Sequence, residues 1–443
     1  MSALLILLVT APLVAALASL TPWQRIARGI TVVAGAGCLG MAAALVPAVA
    51  HGAIGVGFLH VDAIAVVFVL GTSLLYAMTA LYTIGYLPGG HRESALDPVD
   101  YDRRLYVGLN LFAWSMLCAP LMNGLALMWI AIEITTVVSA LLVALDASTE
   151  SAEAAWKYVL LASAGLGVSL LATIVLYYAG ASILGSGYDL AFSPLLKAGR
   201  ALPHGAVRLA FLLAVVGYGT KVGLFPVHTW LPDAHSEAPT PVSAMLSGSL
   251  LAVSLYAVIR YFQVASATLG PAFPRGVLLV FGIASLALAA IYLLQQRNIK
   301  RLLAYSSIEH MGVLAIGIGL GAPLAAAGVL LHVIAHSAAK GNAFLGAGVL
   351  VQKYRTKDMS RIRSALTALP VSAPLFLFSI LTLSAVPPFA MFRSEFQIVA
   401  GGMMAAHGWP TSILVVLVTV AFVGLSVQTT RMMFAHPSTA TAT

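Results

Sequence analysis

Apolar runs of about 20 residues alternate with short polar connections along almost the whole chain. A run of this length crosses the hydrocarbon core of a bilayer as an α-helix. The pattern therefore predicts an all-α polytopic membrane protein with about 13 transmembrane helices. The predicted spans lie near residues 3–20, 30–50, 63–84, 104–121, 124–145, 156–180, 205–226, 241–263, 274–294, 300–320, 322–350, 368–387 and 410–432.

Composition agrees with this pattern. Hydrophobic residues make up 60% of the chain and charged residues only 9%, whereas soluble domains carry about 25% charged residues. The net charge of +8 is scattered over short connections, so we expect lipid and protons as partners and no nucleic acid. The first apolar run has no basic segment before it, which predicts an uncleaved span rather than a signal peptide. Cys38 and Cys118 each stand alone in apolar runs, so we expect no cofactor in this chain.

The distribution of Lys and Arg predicts the topology. Cytoplasmic loops carry an excess of these residues, and an outward N-terminus with a cytoplasmic C-terminus places most of them on the cytoplasmic side. We therefore expect a multi-pass protein of the inner (plasma) membrane. The residues assigned to the cytoplasmic side are Arg25, Arg28, Arg92, Arg103, Arg104, Lys157, Arg297, Lys300, Arg301, Lys353, Arg355, Lys357, Arg361, Arg363 and Arg431; only Lys197, Arg200, Arg208, Arg260 and Arg275 fall outside.

Two of the apolar runs are interrupted by proline, the seventh at Pro226 and the twelfth at Pro387-Pro388. Each interrupted span is the fourth in a group of five, one group starting at the fourth span and the other at the ninth. Because the two groups are offset by five spans, they have opposite orientations in the membrane. Broken helices at matching positions of inverted repeats indicate a transport site near the bilayer midplane. We therefore predict three helices in 1–100, a first five-helix repeat in 101–265, and a second repeat with a short tail in 266–443.

The stretch from Gly219 to Ser243 contains Lys221, one of several charged residues inside the predicted membrane spans. An ionisable residue in a membrane span indicates a functional site by default. Glu133, alone in the middle of the fifth span, is its natural partner, and we predict a proton-carrying pair. The alternatives without a transport role are a neutral Glu133 that forms a hydrogen bond between helices and a Lys221 that extends to the membrane surface.

A second group, formed by His332, His336 and Lys340, repeats at intervals of four residues. This spacing puts all three on one helix face, where titratable side chains one turn apart suit a hydrated proton pathway. The alternative is a pair of satisfied interior histidines. The same spacing can bind zinc, but no carboxylate or third ligand accompanies it, so we expect no metal site.

Further polar residues have two interpretations each. Glu309 and His310 either join the pathway or lie at its cytoplasmic mouth. Arg393 and Glu395 follow the double proline and form either a structural ion pair or the exit of the pathway. Four residues after the first break form either the cytoplasmic mouth or contacts to the loop backbone: His228, Asp233, His235 and Glu237.

Residues 219–244 read GTKVGLFPVHTWLPDAHSEAPTPVSA. They closely resemble the signature of the antiporter-like subunits of respiratory complex I, membrane-bound hydrogenases and multisubunit cation/proton antiporters. The stretches IKRLLAYSSIEHMG and HVIAHSAAKGNAF resemble later signatures of that family. The resemblance extends from about Val61 to Arg431, and its flanking sequences are most similar to the hydrogenase-4 component F group.

The resemblance implies two inverted five-helix repeats and a central axis of charged residues for proton translocation. By motif, Glu133, Lys221 and Lys340 with His336 match the family's glutamate and lysine sites, and Glu395 matches its site in the twelfth span. The family's redox chemistry lies in partner subunits, which implies other membrane-arm subunits, a peripheral redox arm, and iron–sulfur, nickel–iron or quinone chemistry there. No catalytic centre is then expected in this chain.

One departure concerns the eighth span, where many relatives carry a lysine or histidine and this chain has Ala252, with Ser249 and Ser254 close by. Three functions remain open at this stage. The first is a proton-translocating subunit of a redox-driven complex. The second is a subunit of a cation/proton antiporter or of an ion-driven inorganic-carbon uptake module. The third is a scaffold that has lost pumping, which only the missing base supports.

Overall fold

The computed structural model describes residues 1–21, 23–90, 96–185 and 187–435. In this part of the chain, helices are joined by short connections, with a single two-stranded hairpin between the second and third helices. The elements are α1 (Ser2–Ala18), α2 (Gln24–Val49), β1 (Ile54–Val56), β2 (Leu59–Val61), α3 (Ala63–Gly90), α4 (Pro98–Leu121), α5 (Leu125–Val143), α6 (Thr149–Leu184), α7 (Phe192–Ala198), α8 (His204–Val222), α9 (Trp230–Glu237), α10 (Thr240–Met245), α11 (Leu251–Leu269), α12 (Ala272–Leu293), α13 (Ile299–Leu320), α14 (Pro323–Tyr354), α15 (Ala365–Ala368), α16 (Ser372–Leu383), α17 (Ala390–Met404) and α18 (Gly408–Phe434).

Ten helices in the described ranges are long and apolar enough to cross a membrane. They confirm the predicted all-helical, multi-pass membrane fold. One of these spans, Thr240–Leu269, consists of α10 and α11 and the π-helical turn Leu246–Leu250 between them. The count of 13 spans and the two repeats, with their boundaries, remain predictions, because α1, α4 and the interrupted twelfth run are not among the ten.

Local sequence signals explain where several helices begin. Asp97 accepts a hydrogen bond from the backbone N–H of Val99 at 3.0 Å at the start of α4. Ser148 and Ser151 form a reciprocal capping box at the start of α6, and the Asn298 side chain accepts from the backbone N–H groups of Lys300 and Arg301 in the first turn of α13. Each cap satisfies backbone donors that lack a partner within the first turn. The long helices are thereby started at defined residues.

Both predicted proline interruptions are confirmed. The first follows Gly223, whose φ of 85° ends α8 in a left-handed conformation that suits glycine; a short connection then leads to α9. The second separates α16 from α17. Our twelfth span was wrong at its end, since it stopped at 387 while the helix resumes at Ala390 and continues to Met404. The proline pair interrupts the element and does not end it.

The most buried spans of the described residues are the one that contains α11 and the one formed by α13. The best window of the span containing α11 is entirely buried, and that of α13 almost so. Close helix contact is possible because small residues meet at the interfaces. A Cβ on Gly312 of α13 would lie 2.9 Å from the carbonyl oxygen of Gly282 on α12. The polar side chains that these helices carry, such as His310 on α13, therefore lie in a tightly packed interior.

The connections separate onto two opposite faces, as successive spans require. On one face the β-hairpin bridges to Met122, and Gly124 bridges to Ala191. On the other face Asn298 bridges to Asp358. This arrangement agrees with the predicted alternation of the loops. Which face is cytoplasmic remains a prediction, and Arg92, which contributed to it, lies outside the described residues.

Candidate functional site

Lys221 lies in the last turn of α8 and is completely buried. Its ammonium Nζ donates to the carbonyl oxygen of Ile132 at 3.1 Å and to the hydroxyl of Thr136, both on α5. The ring of Tyr158 on α6 lies 5.8 Å from the same nitrogen. Lys221 therefore does not extend to the membrane surface, and it is held by neutral oxygen atoms inside the protein.

Glu133 belongs to the same helix as these acceptors but faces a different neighbour. It is half-buried, and its Oε1 accepts a hydrogen bond from the Ser163 hydroxyl of α6 at 3.3 Å. Ile132 and Thr136 are one turn apart on one face, whereas Glu133 is turned by about 100° from Ile132. The expected direct Glu133–Lys221 pair is therefore wrong for this conformation: Lys221 binds the residues on either side of the glutamate along the chain.

Lys340 repeats the arrangement on a different pair of helices. It is completely buried on α14, and its Nζ donates to the Leu303 carbonyl oxygen at 2.9 Å and to the Ser306 hydroxyl at 2.8 Å, both on α13. Each buried lysine is thus held by one carbonyl oxygen and one hydroxyl about a turn apart on a neighbouring helix.

Three imidazole rings form a cluster next to this second lysine. His332 and His336 lie on one face of α14, as predicted, with ring centroids 6.4 Å apart. His310 of α13 lies 5.2 Å from the first ring and 5.4 Å from the second. All three are completely buried. Of the two positions considered for His310, the structure selects the interior one.

Glu395 of α17 joins the histidines, with its Oε1 4.0 Å from Nδ1 of His310. The side chain also lines a cavity of about 290 Å³, together with Phe392 and Phe396. Arg393 is exposed on the opposite side of the helix. Of the two interpretations, the Arg393–Glu395 ion pair is therefore wrong, because a separation of two residues along a helix turns the side chains by about 200°.

Glu309, the neighbour of His310 in the chain, is buried at 1% exposure. Its Oε2 has no hydrogen-bond partner among the described residues. Like His310, it therefore belongs to the interior and not to a mouth at the surface. The two residues extend the row of titratable side chains that begins at Lys340.

Hydroxyl groups fill the region of the eighth span where no base is present. Ser247, in the π-helical turn, lies 2.6 Å from the Ser307 hydroxyl of α13. Two residues later, the Ser249 hydroxyl lies 2.6 Å from that of Thr72 on α3. Ala252 is buried and apolar, whereas the Ser254 hydroxyl donates to Leu250 in its own helix. Hydroxyl pairs thus lie within five residues of Ala252 along the chain.

The residues after the first break make ion pairs that join the connections on one face. Asp233 lies 3.7 Å from Lys157 and 3.3 Å from Arg301, and Glu237 lies 2.9 Å from Lys357. Burial raises the pKa of Glu237, but the Lys357 ammonium outweighs it and holds that pKa below its usual range. Of the two interpretations, contact with the loop backbone is therefore wrong: both carboxylates pair with basic side chains of other segments.

The two histidines of the same segment lie apart from these ion pairs. His235 is completely buried, and its ring stacks on Phe344 at a centroid distance of 5.2 Å. His228 is nearly buried and stacks on Phe225 at 6.2 Å. Neither histidine lies at an open mouth.

Sequence reasoning missed the hydroxyl residues of the site. Thr136, Ser306 and Ser394 all contact a predicted titratable residue. A signal for them was present in the chain, since each lies within four residues of a charged or imidazole side chain inside an apolar run. Polar groups in a membrane interior need partners within the protein, so such hydroxyls are candidate partners.

The fold also changes the chemistry available to the histidines. Within the described residues, one group of side chains has ligand atoms close enough for a metal ion: His310, His332 and Glu395, whose atoms lie within 4.8 Å of one another. The expectation of no metal site rested on the lack of a carboxylate and a third ligand near His332 and His336 in the sequence. The tertiary structure brings both from α13 and α17.

Comparison with known proteins places this geometry in context. Residues 122–423 match the sequence family described as NADH:quinone oxidoreductase/Mrp antiporter, transmembrane. The chain is 35% identical over 384 residues to a hydrogenase-4 component F homolog from Methylacidiphilum infernorum, covering 86% of this chain and 80% of that protein. It is 29% identical to hydrogenase-4 component B of Escherichia coli, covering 76% of this chain but only 50% of the relative.

Solved structures share the fold. A chain of the membrane-bound sulfane sulfur reductase, an archaeal respiratory membrane complex, has a TM-score of 0.86 at 21% identity, over 98% of this chain and 89% of that one. A chain of the Mrp complex from a Dietzia species has a TM-score of 0.83 at 21% identity, over 99% and 82%. A chain of respiratory complex I from Thermus thermophilus has a TM-score of 0.77 at 22% identity, over 98% and 90%.

Proposed function

Because the chain belongs to the NADH:quinone oxidoreductase/Mrp antiporter transmembrane family, we propose that it is a proton-translocating subunit of a redox-driven membrane complex. Protons move along a row of buried side chains near the middle of the membrane. The row comprises Glu133, Lys221, Lys340, Glu309, His310, His332, His336 and Glu395.

The observation that carries this proposal is the paired arrangement of Lys221 and Lys340. Each amine is fully buried and held by one carbonyl oxygen and one hydroxyl, and no carboxylate of the described residues lies within 4.0 Å of either amine. A buried ammonium without a counter-ion is costly. Such a lysine is suited to release and regain a proton as nearby charges move.

Glu133 supplies the movable charge in this mechanism. In the described conformation it binds Ser163 and leaves Lys221 to neutral acceptors. A change of rotamer toward Lys221 favours the charged amine, and the return to Ser163 favours proton release. The proton then passes through the hydroxyl pairs around Ser247 toward Lys340.

From Lys340 the pathway continues through the imidazole cluster to Glu395. The ring centroids of His310, His332 and His336 lie 5.2–6.4 Å apart, and each ring can accept a proton on one nitrogen and donate one from the other. Glu395 ends the row at the cavity beside Phe392 and Phe396. This end is the proposed exit.

The redox chemistry lies in partner subunits under this proposal. The two relatives named above are hydrogenase-4 components, and a chain of respiratory complex I shares the fold, which supports other membrane-arm subunits and a peripheral redox arm as partners. Iron–sulfur, nickel–iron or quinone groups belong to those subunits. The proposed location is the inner (plasma) membrane, with the N-terminus outside and the C-terminus in the cytoplasm.

A subunit of a cation/proton antiporter is the second candidate, supported by the fold shared with the Mrp complex. An ion-driven inorganic-carbon uptake module is a variant of this second candidate, because it too would work without a redox partner. To test the proposal, the chain is extracted from native membranes in mild detergent, and its co-purified subunits and metals are identified. Iron–sulfur proteins, with or without nickel, support the redox-driven complex.

Two other results of that experiment contradict the redox-driven complex. Small hydrophobic subunits without metal identify an antiporter. A single soluble partner with bound zinc identifies an inorganic-carbon uptake module. Any zinc is assigned to a subunit only after the partner has been separated from this chain.

A further inference from the structure

We propose that His310, His332 and Glu395 form a binding site for Zn²⁺ inside the membrane. The three side chains come from α13, α14 and α17, so only the tertiary structure assembles them. All three are buried, and their ligand atoms lie within 4.8 Å of one another. Neutral imidazoles and a carboxylate are preferred zinc ligands.

The distances suit a tetrahedral ion after small side-chain movements. Bonds of about 2.0–2.1 Å place the ligand atoms of tetrahedral Zn²⁺ about 3.3 Å apart. The His310 Nδ1 and Glu395 Oε1 atoms are 4.0 Å apart, so rotations of these side chains on otherwise fixed helices can close the gap. His336, with its ring 5.4 Å from that of His310, or a water molecule provides the fourth ligand.

Ser394 orients His332 for this role. The Ser394 hydroxyl donates its one proton to the Met391 carbonyl oxygen at 2.7 Å, so at 2.9 Å it accepts a hydrogen bond from Nδ1–H of His332. The proton on Nδ1 leaves Nε2 of the neutral ring as a free lone pair. A hydrogen bond to the second ring nitrogen is the usual way in which proteins orient a zinc-binding histidine.

The remaining ligand atoms are also available. Nε2 of His332, both ring nitrogens of His310 and Oε1 of Glu395 are buried without a hydrogen-bond partner among the described residues. Most buried polar atoms in proteins have such a partner, so this cluster is set up for a further ligand. Glu395 lines the cavity that opens beside Phe392, and this cavity provides a path for the ion.

Bound zinc has a consequence that rests on the proposed function. The ion occupies the same lone pairs that carry the proton from the histidines to Glu395. Zn²⁺ at this site therefore blocks translocation without displacing Lys221 or Lys340. The site itself does not depend on that function, and its test is a measurement of binding.

The test uses the full chain, in its complex where one co-purifies, isolated with a tag that contains no histidine. Metal is stripped, Zn²⁺ is titrated, and the retained zinc is counted by mass spectrometry after gel filtration; Co²⁺ is titrated in parallel for its visible absorption. The variants are His310→Gln, His332→Gln, Glu395→Gln and Ser394→Ala. His407→Gln is the matched control, because His407 lies in the connection before α18, outside the cluster.

We expect the wild type and His407→Gln to retain one zinc ion more than each of the three ligand variants. Ser394→Ala should keep the site but weaken its affinity by about 10–100-fold, the usual effect of removing a partner of a ligand. Cobalt should give the intense bands of a tetrahedral site in the wild type and in His407→Gln, in Ser394→Ala only at higher cobalt concentration, and in none of the three ligand variants. Equal retention by all variants overturns the proposal, as does octahedral cobalt absorption.

Proton transport is measured on the same preparations. Transport that stops at the zinc concentration that fills the site supports the blocking role. Normal transport by the zinc-loaded protein overturns that role but leaves the binding site intact. Gel-filtration profiles that match the wild type show that a variant has folded, and Glu395→Gln, which conserves shape, is decisive where a histidine variant fails this check.

Discussion

The Nζ atom of Lys221 lies 3.1 Å from the carbonyl oxygen of Ile132, the residue that directly precedes Glu133. The amine therefore reaches the helix that carries the carboxylate and still does not bind it. Lys340 is likewise held by a backbone carbonyl oxygen, that of Leu303 at 2.9 Å, on the helix that carries Glu309. Two lysines held in this way by neutral groups define the centres of the site.

Replacing Lys221 tests the first of these centres. Lys221→Ala should abolish proton transport and leave assembly intact, because the amine contacts neutral acceptors and anchors no ion pair. Lys221→Arg should also fail, since arginine effectively cannot deprotonate. The measurement is proton uptake into vesicles that contain the assembled complex. Lys197→Ala, in the connection between α6 and α8, is the control; normal pumping by an assembled Lys221→Ala complex would refute the mechanism.

Glu133→Gln should likewise stop transport. The amide keeps the hydrogen bond from Ser163 but removes the charge that loads Lys221. Ser163→Ala, which removes only the hydrogen bond, should retain transport and alter its rate. A Glu133→Gln protein as active as the wild type would leave the carboxylate with a structural role only.

Thr136→Val removes the hydroxyl that accepts from Lys221 while conserving the shape of the side chain. A hydrogen bond to a charged group contributes about 1.5–3 kcal/mol, so we expect transport to slow by roughly 10- to 100-fold. Thr136→Ser retains the hydroxyl and should remain close to wild type. The comparison uses initial rates across a range of pH, and equal rates for the two variants would show that this hydroxyl does not control the amine.

The hydroxyl pair of Ser247 and Ser307 should be required for communication between the two lysines. Ser247→Ala or Ser307→Ala breaks this pair, and each variant should reduce transport, because no titratable group replaces the hydroxyls there. Ser254→Ala is the matched control, since its hydroxyl binds only its own helix. If all three variants transport alike, the proton takes another route.

An ion pair outside the proposed pathway should control stability in acid. Arg260 lies 2.7 Å from Asp62, in the connection before α3. Burial raises the pKa of Asp62, but the Arg260 guanidinium and a backbone amide outweigh it and hold that pKa below its usual range. The stabilisation is therefore present above the ordinary aspartate pKa of about 3.9 and is lost as pH falls through the lowered value.

Asp62→Asn removes this carboxylate and leaves the buried guanidinium unpaired. We expect a loss of about 1–3 kcal/mol at neutral pH, seen as a lower melting temperature in detergent. The difference between variant and wild type should narrow under strongly acidic conditions. An unchanged melting temperature at neutral pH would contradict this role of the pair.

Hydrophobic pattern alone determined the class of the protein, the places of most spans and both proline interruptions, because burial of the backbone in lipid leaves few alternatives to long apolar helices. It also identified Lys221, Lys340 and Glu395, since charges in apolar runs stand out without knowledge of their neighbours. Motifs in three stretches of the chain indicated the family.

The partners of these charges were decided only by the tertiary structure. Glu133 and Lys221 seemed a natural pair, but the rotation of α5 directs the carboxylate to Ser163, and the Lys221 amine binds Thr136 instead. His310 and Glu395 reach His332 from separate helices, so no spacing along the chain reveals their meeting. Contacts between helices depend on the angle at which each helix presents its side chains, and the hydrophobic pattern of a nearly uniform membrane span does not specify that angle.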